Sequence, residues 1–162
     1  MKSKILIFVL TLFIISSCDE GLAPPPPVKK ASISGTITYI SGKDKWPPKD
    51  SVLDIRVVAF KNEPPKDILG EVTSGNAFFT GSLPSFTDTS SYFLEFIEPP
   101  LTIKYLVAAQ QYGSIFDWRV IGVWTLNGDN TKPSSINIEP GKNYKNINIK
   151  VDFEHLPPQP FD

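Results

Sequence analysis

Apolar and polar residues alternate along much of this chain with a period of two, beginning at Ala31. The clearest run comes last, where Ile147, Ile149, Val151 and Phe153 are separated by polar residues. Alternation of this kind is typical of half-buried β-strands, because successive side chains of a strand point to opposite faces of the sheet. The runs that predict further strands are 33–39, 53–60, 92–97, 103–109 and 118–124.

Turn and breaker residues separate these runs. Asn127-Gly128, for example, suits a tight turn with positive φ at the glycine. No stretch of ten or more residues has convincing apolar spacing at three and four, so we expect little helix. The sequence therefore predicts an all-β fold, a single antiparallel β-sandwich of about seven to nine strands, with a closed barrel as the alternative. In the run 53–60, Val58 and Phe60 make the second face of the strand apolar as well.

Composition narrows the class of protein. The 162 residues suit one domain, and the 16 prolines favour strands joined by rigid loops. The net charge is −1 and no dense cluster of lysine and arginine is visible, so we expect no binding to nucleic acid. The single cysteine, Cys18, excludes an internal disulfide and a cysteine-based zinc site.

The first residues have the pattern of a secretory signal peptide. Lys2 and Lys4 form a basic head, an apolar run follows over 5–15, and two small residues precede Cys18. The apolar run is shorter than the roughly 20 residues that a helix needs to cross a bilayer, so a permanent transmembrane anchor is the less favoured interpretation.

The segment Ile15-Ser16-Ser17-Cys18 resembles the bacterial lipobox, which has an aliphatic residue, two small residues and a cysteine. This resemblance implies cleavage before Cys18 and a diacylglycerol thioether on its sulfur. A palmitate-type acyl group on the new terminus follows in some bacterial groups. An incidental cysteine after an ordinary signal peptide is the alternative. The expected location is the bacterial cell envelope, on either the inner or the outer membrane.

Four regions follow from these signals. We predict a signal peptide at 1–17, a lipidated Cys18 with a proline-rich linker at 18–30, a β-sandwich at 31–154 and an extended C-terminal tail at 155–162. Pro24 to Pro27 favour an extended polyproline II spacer that would hold the domain away from the membrane.

Three stretches of the mature chain resemble the transthyretin-like or carboxypeptidase-regulatory-like sandwiches of bacterial envelope proteins. They are ASISGTITYI, VLDIRVVAF and INIEPGKNYKNINIKVDF, and the resemblance spans about 31–153. The resemblance implies a sandwich topology. It gives little information about activity, because one fold hosts many functions.

The sequence offers no set of catalytic residues, and we expect neither an enzyme nor a cofactor. His155 lies in the tail, where a general base would be poorly held. Asn127 and Asp129 are weak candidates for a calcium loop, because oxygen ligands suit Ca²⁺, but both are also ordinary turn residues. We expect no dedicated metal site.

Aromatic residues are the remaining candidates for binding. Trp46 stands before Pro47-Pro48 in a predicted loop, and alternation places Trp118 and Trp124 on one strand face with Val120. Exposed aromatic rings bind sugars or partner proteins, whereas buried ones fill the core. The preferred hypothesis is an envelope lipoprotein with a non-catalytic binding or assembly domain, whose partners are the membrane, envelope proteins or glycans. The alternative is a carbohydrate-binding accessory lipoprotein that uses loop aromatics.

Overall fold

The computed structural model describes residues 26–40, 42–65 and 67–160 of the chain. Within these ranges the chain forms ten β-strands, with one short α-helix, α1 (Ile68–Thr73), and 3-10 helices at Gly42–Lys45 and Lys49–Ser51. The strands are β1 (Ala31–Tyr39), β2 (Asp54–Phe60), β3 (Ala77–Phe79), β4 (Thr89–Phe96), β5 (Leu101–Ile103), β6 (Tyr105–Gln111), β7 (Trp118–Val123), β8 (Ile136–Ile138), β9 (Asn143–Tyr144) and β10 (Ile149–Val151). The predicted signal peptide, Cys18 and linker residues 18–25 lie outside the described residues.

The strands form two main sheets and one small one. The first sheet has the order β10-β1-β4, with β9 also beside β1, and the second has the order β3-β2-β6-β7. Strands β5 and β8 pair with each other in a two-stranded sheet. The predicted all-β sandwich is confirmed, and several of its strands are only two or three residues long.

The pairing is not wholly antiparallel, which differs from the prediction. Strand β1 is antiparallel to β4 but parallel to both β9 and β10. Strands β9 and β10 follow each other along the same side of β1, separated by a break in pairing. Gly35 lies at this break, where a Cβ atom would stand 2.0 Å from the carbonyl oxygen of Ile147. Only glycine allows so close an approach between the two backbones.

The core lies between the two main sheets and takes one face of each strand. Ile37, Val57, Leu106 and Ile149 are among its fully buried side chains. The alternation predicted for the last run is confirmed, because Ile149 and Val151 are buried while Ile147 and Phe153 pack against the core. Burial of one whole face makes the register of such strands specific.

The outer face of the second sheet is apolar as well. Phe60, Tyr105, Val107, Val120 and Val123 belong to a second buried cluster, separate from the core between the sheets. Helix α1 lies against β3 at one side of this face, and the Asp67 carboxylate caps the helix by accepting a hydrogen bond from the amide of Gly70. A face of this composition is typical of a sheet covered on both sides.

The C-terminal tail packs against the edge strand β7. The side-chain amide of Gln159 accepts a hydrogen bond from Val120 N at 2.8 Å and donates one to Val120 O at 3.0 Å. Pro157 is buried in the same segment. Residues 157–160 of the predicted tail are thus held against the sandwich.

Candidate functional site

An open groove runs across the outer face of the second sheet. Its floor contains Val58 of β2, Val107 and Ala109 of β6, and Val120 of β7. Val58 pairs with Val107, and Ala109 pairs with Val120, so these four short side chains lie on adjacent strands. Short side chains at the centre of a face leave a depression when longer ones surround it.

The walls of the groove are built from longer side chains. Phe79 of β3, Trp118 of β7 and Ile115 of the β6–β7 loop line it, together with Ile68 and Val72 of α1. The groove encloses about 270 Å³ and is lined almost entirely by apolar side chains. This is slightly smaller than the roughly 300–1,000 Å³ of typical sites for drug-sized ligands.

The β6–β7 loop presents apolar side chains to solvent at one end of the groove. Ile115 and Phe116 are 73% and 70% exposed. The loop is held by hydrogen bonds from Tyr112 N to Asp117 O at 3.0 Å and from Trp118 Nε1 to Ile115 O at 2.9 Å. These hydrogen bonds fix the loop, so its apolar side chains keep a defined position at the end of the groove.

The carboxylate of Asp117 closes the same loop. Ser114 N donates a hydrogen bond to Asp117 Oδ2 at 2.6 Å. Hydrogen bonds from the side chain and the backbone of Ser114 lower the pKa of Asp117, because they favour the ionised carboxylate. The ionised form therefore holds the loop closed at neutral pH.

Both arginines of the sequence, Arg56 and Arg119, border this groove, but only Arg56 shares a strand face with a floor residue, Val58. The Arg56 guanidinium lies over the rings of Phe79 and Trp118, at 5.5 Å and 5.8 Å from their centroids. Its Nε donates a hydrogen bond to Asp54 Oδ2 at 2.7 Å, so the charge of Arg56 is partly compensated.

Arg119 is held without an acidic partner. Its Nε donates a hydrogen bond to Gln110 Oε1 at 3.1 Å, and its guanidinium lies 5.6 Å from the ring centroid of Tyr112. Gln110 is fully buried and donates in turn to the carbonyl of Ser51. Arg119 is absent from the ion pairs formed within residues 26–40, 42–65 and 67–160. Directly paired residues share a sheet face, so the Arg119 side chain lies with Gln110 on the face opposite to Trp118 and Val120.

The structure separates Trp118 from Trp124, which the alternation had placed on one face. The partners of Val120 and Gly122 are consecutive residues of β6, so that Ile121 is an extra residue in β7. After such a bulge, each later side chain of the strand lies on the opposite face from the one that simple alternation predicts. Trp118 faces the groove, whereas Trp124 is 7% exposed within the core between the sheets.

Trp46 is half-buried, which differs from its expected exposure in a loop. Its ring packs against Tyr39, Phe86 and Phe153, with centroids 4.3 Å, 5.0 Å and 4.9 Å away. Its Nε1 donates a hydrogen bond to Thr87 O at 3.1 Å. The loop folds back because this large ring covers one end of the core.

Asn127 and Asp129 use their side-chain oxygens within their own loop. Asn127 Oδ1 accepts from Asp129 N at 3.0 Å, and Asp129 Oδ1 accepts from the Thr131 hydroxyl at 2.6 Å. The hydrogen bond from the Thr131 side chain lowers the pKa of Asp129. The predicted turn is present, with Gly128 at a φ of 78°.

The other residues considered for chemistry lie apart from the groove. His155 Nδ1 is 3.0 Å from Asp152 Oδ2, and the histidine side chain is 82% exposed. Within the described ranges, no three side chains of histidine, cysteine, aspartate or glutamate are grouped closely enough to hold a metal ion. No described helix has the length and apolar character needed to cross a membrane.

Sequence reasoning found Trp118 but missed the groove around it. The available signal was the apolar second face of β2, at Val58 and Phe60. Which residues share the groove depends on the pairing of β2 with β6 and β7, which come more than forty residues later in the chain.

Comparisons of this chain with protein-family models, with curated proteins and with solved structures found no match.

Proposed function

We propose that this chain is a membrane-anchored lipoprotein of the bacterial cell envelope, that its β-sandwich is a non-catalytic binding domain, and that the groove is the binding site. The lipobox-like segment ending at Cys18 supports the anchor, and the proline-rich linker supports a domain held away from the membrane. The groove supports the binding role.

The observation that carries the binding role is the apolar groove on the outer face of the second sheet. An outer face of a sandwich sheet is usually polar, because it meets water. Here Val58, Val107, Ala109 and Val120 form an apolar floor that α1 covers only in part. Phe79 and Ile115 of the groove walls are exposed, and exposed apolar patches mark sites of interaction.

The geometry favours an apolar ligand over a glycan. A sugar site combines a flat aromatic ring with polar groups that bind hydroxyls. Of the three tryptophans, Trp118 alone lines the groove, while Trp46 and Trp124 pack within the domain. The lining is almost entirely apolar, and Arg56 is the polar side chain on the groove face of β2.

The groove is tested with a neutral apolar dye, N-phenyl-1-naphthylamine, whose fluorescence rises on leaving water. The protein is the non-acylated mature chain, residues 18–162 with Cys18→Ser, which contains every described element. We expect saturable binding that Ala109→Phe abolishes, because a large ring on the floor fills the groove.

Ser91→Phe is the matched control, because Ser91 is exposed on β4 in the opposite sheet. This variant adds the same ring and should leave dye binding unchanged. Absence of binding to the parent chain, or equal binding by the Ala109→Phe variant, would contradict the groove as a binding site.

The anchor is tested by Cys18→Ser in the full chain, expressed in a bacterium. We expect the parent chain to partition into the detergent phase and the variant to leave it, since a thioether-linked lipid supplies the membrane affinity. Mass spectrometry of the mature parent protein should show a diacylglyceryl group on Cys18. A bare thiol there would contradict the lipoprotein assignment.

A further inference from the structure

We infer that the free edge of β4 is a pairing surface for β4 of a second copy of this chain, and that the two strands join antiparallel about a twofold axis at Phe93. The joined strands extend the first sheet across both copies. The groove plays no part in this inference, because it lies on the outer face of the second sheet.

Strand β4 ends the first sheet and pairs on one side only, with β1. Just beyond β4, Tyr39 N donates a hydrogen bond to Asp88 O at 3.0 Å. Hydrogen-bonded pairs recur at every second residue of an antiparallel ladder, so the even-numbered residues of β4 turn their backbone groups toward β1. The N–H and C=O groups of Ser91, Phe93 and Glu95 therefore point away from β1.

The hydrogen bonds on the other side of β1 agree with this assignment. Ser32, which stands opposite Glu95 in the ladder, donates its N–H to Lys142 O at 3.0 Å on the far side of β1. Within residues 26–40, 42–65 and 67–160, the backbone groups of Ser91, Phe93 and Glu95 have no backbone hydrogen bond beyond the ladder with β1. A strand with free donors and acceptors at every second residue is a template for another strand.

The edge of β4 lacks the features that usually block such pairing. Its eight residues include no proline, glycine or lysine, and its ladder with β1 runs without a bulge. Its one charged residue, Glu95, is paired with Lys30 of the same chain at 2.7 Å. The remaining edges of the two main sheets are better protected, because β3, β9 and β10 have at most three residues each and Gln159 covers part of β7.

The side chains of β4 favour one register for the pair. Ser91, Phe93 and Glu95 lie on the outer face of the sheet, and Phe93 is 61% exposed. Pairing centred on Phe93 brings the two rings together and sets Ser91 of each copy opposite Glu95 of the other. Pairing centred on Glu95 would set two carboxylates against each other. Aromatic cross-strand pairs stabilise a sheet and opposed like charges destabilise it, so the register centred on Phe93 is preferred.

Cross-linking tests this register. The protein is the non-acylated mature chain, residues 18–162 with Cys18→Ser, which removes the single cysteine of the sequence. In the Phe93→Cys variant the two thiols belong to opposite residues, whose Cα atoms lie about 5.5 Å apart in such a pair, within the range of a disulfide. We expect this variant to form a covalent dimer on oxidation with copper phenanthroline.

Ser91→Cys is the matched control for cross-linking. In the proposed register, the two copies of residue 91 lie four residues apart along the paired strands, or about 13 Å, which a disulfide does not span. This variant should stay monomeric under the same oxidation. Equal cross-linking of the Phe93→Cys and Ser91→Cys variants would overturn the proposed pairing.

A proline substitution tests the hydrogen bonds of the edge. A contact along one strand is small, so we expect the parent chain to dimerise reversibly at high concentration, as followed by sedimentation velocity. Ser91→Pro removes an N–H that points away from β1, and edge strands tolerate proline. Two hydrogen bonds are lost in each dimer, so the affinity should fall at least about tenfold. Ser91→Ala removes the same hydroxyl but keeps the N–H, and it should dimerise like the parent chain.

The outcomes separate the second copy from other occupants of the edge. A parent chain that is monomeric at every concentration would overturn the proposal, also where this edge pairs with a strand of a different protein. Dimerisation that a folded Ser91→Pro variant leaves unchanged would assign the contact to another surface. Circular dichroism shows whether that variant folds, and the cross-linking comparison decides the matter without proline.

Discussion

Single residues decide how closely the backbone segments approach each other in this domain. Gly35 is the clearest case, because a methyl group there would overlap the carbonyl of Ile147. Ile121 decides on which sheet face the later side chains of its segment lie. Because it is one additional residue in β7, Trp124 lies in the core while Trp118 lies on the outer face. Both effects depend on contact with a residue elsewhere in the chain, and the local sequence does not identify that residue.

Asp117 should make the wall of the groove sensitive to acid. Its pKa is lowered from 3.8 by hydrogen bonds from Ser114, so the ionised carboxylate favours the closed loop. A group with a lowered pKa stabilises the fold above its ordinary pKa and loses that contribution as the pH falls through the lowered value. We therefore expect the β6–β7 loop to open in acid below a pH of 3.8.

The measurement is hydrogen exchange of the Trp118 indole N–H by NMR, because this group donates to Ile115 O in the same loop. Asp117→Asn should lack protection at neutral pH, so its exchange relative to the intrinsic rate at each pH should change little with pH. Asp129→Asn changes a carboxylate in another loop and should behave like the parent chain. Identical profiles for the parent and the Asp117→Asn variant would contradict this role.

At the scale of elements, edge strands need protection, because an unpaired edge can pair with another chain. Strand β7 is an edge of the second sheet. The side chain of Gln159 covers part of this edge, where a further strand would otherwise pair. The amide of Gln159 has one acceptor and one donor group, which match the N–H and C=O of Val120.

Gln159→Ala should loosen this edge. We expect the free energy of unfolding to fall by about 1–2 kcal/mol, because two hydrogen bonds to one residue are lost together. Exchange of the Val120 amide should become faster, as followed by NMR. Gln159→Glu keeps the acceptor but places a carboxylate oxygen against Val120 O, so it should destabilise the edge as well. Unchanged exchange in the alanine variant would show that the tail does not protect β7.

The whole molecule depends on the close approach of its two sheets beside the core. Gly122 of β7 faces β10, and a Cβ atom there would lie 2.5 Å from Lys150 O and 2.9 Å from a methyl group of Ile149. The backbones of β7 and β10 come close at this point because glycine has no side chain.

Gly122→Ala should push the sheets apart. Overpacking of a closed core costs about 1–3 kcal/mol, and we expect a loss of that size in the free energy of unfolding, measured with urea. Gly81→Ala is the matched control, because no other atom lies within 4 Å of the position of its Cβ. Equal stability of the two variants would contradict tight packing between β7 and β10.

Much of this architecture could be predicted from local pattern. The two-residue period predicted an all-β sandwich, and the last run has the burial predicted for Ile149 and Val151. The parallel pairing of β1 with β9 and β10 was missed, because alternation is the same for both directions of pairing. The half-burial of Trp46 was also missed, because its partners come from three separate segments.

Alternation of apolar and polar residues was enough to establish an all-β fold. Successive side chains of a strand point to opposite faces, so this pattern is local to each strand. The groove is different. Val58 meets Val107 and Val120 only after β2 pairs with the distant hairpin of β6 and β7, and Arg56 and Trp118 reach its walls through the same pairing. Only the folded chain brings them together, because register between strands is set by burial of the whole sheet face and by one bulge in β7.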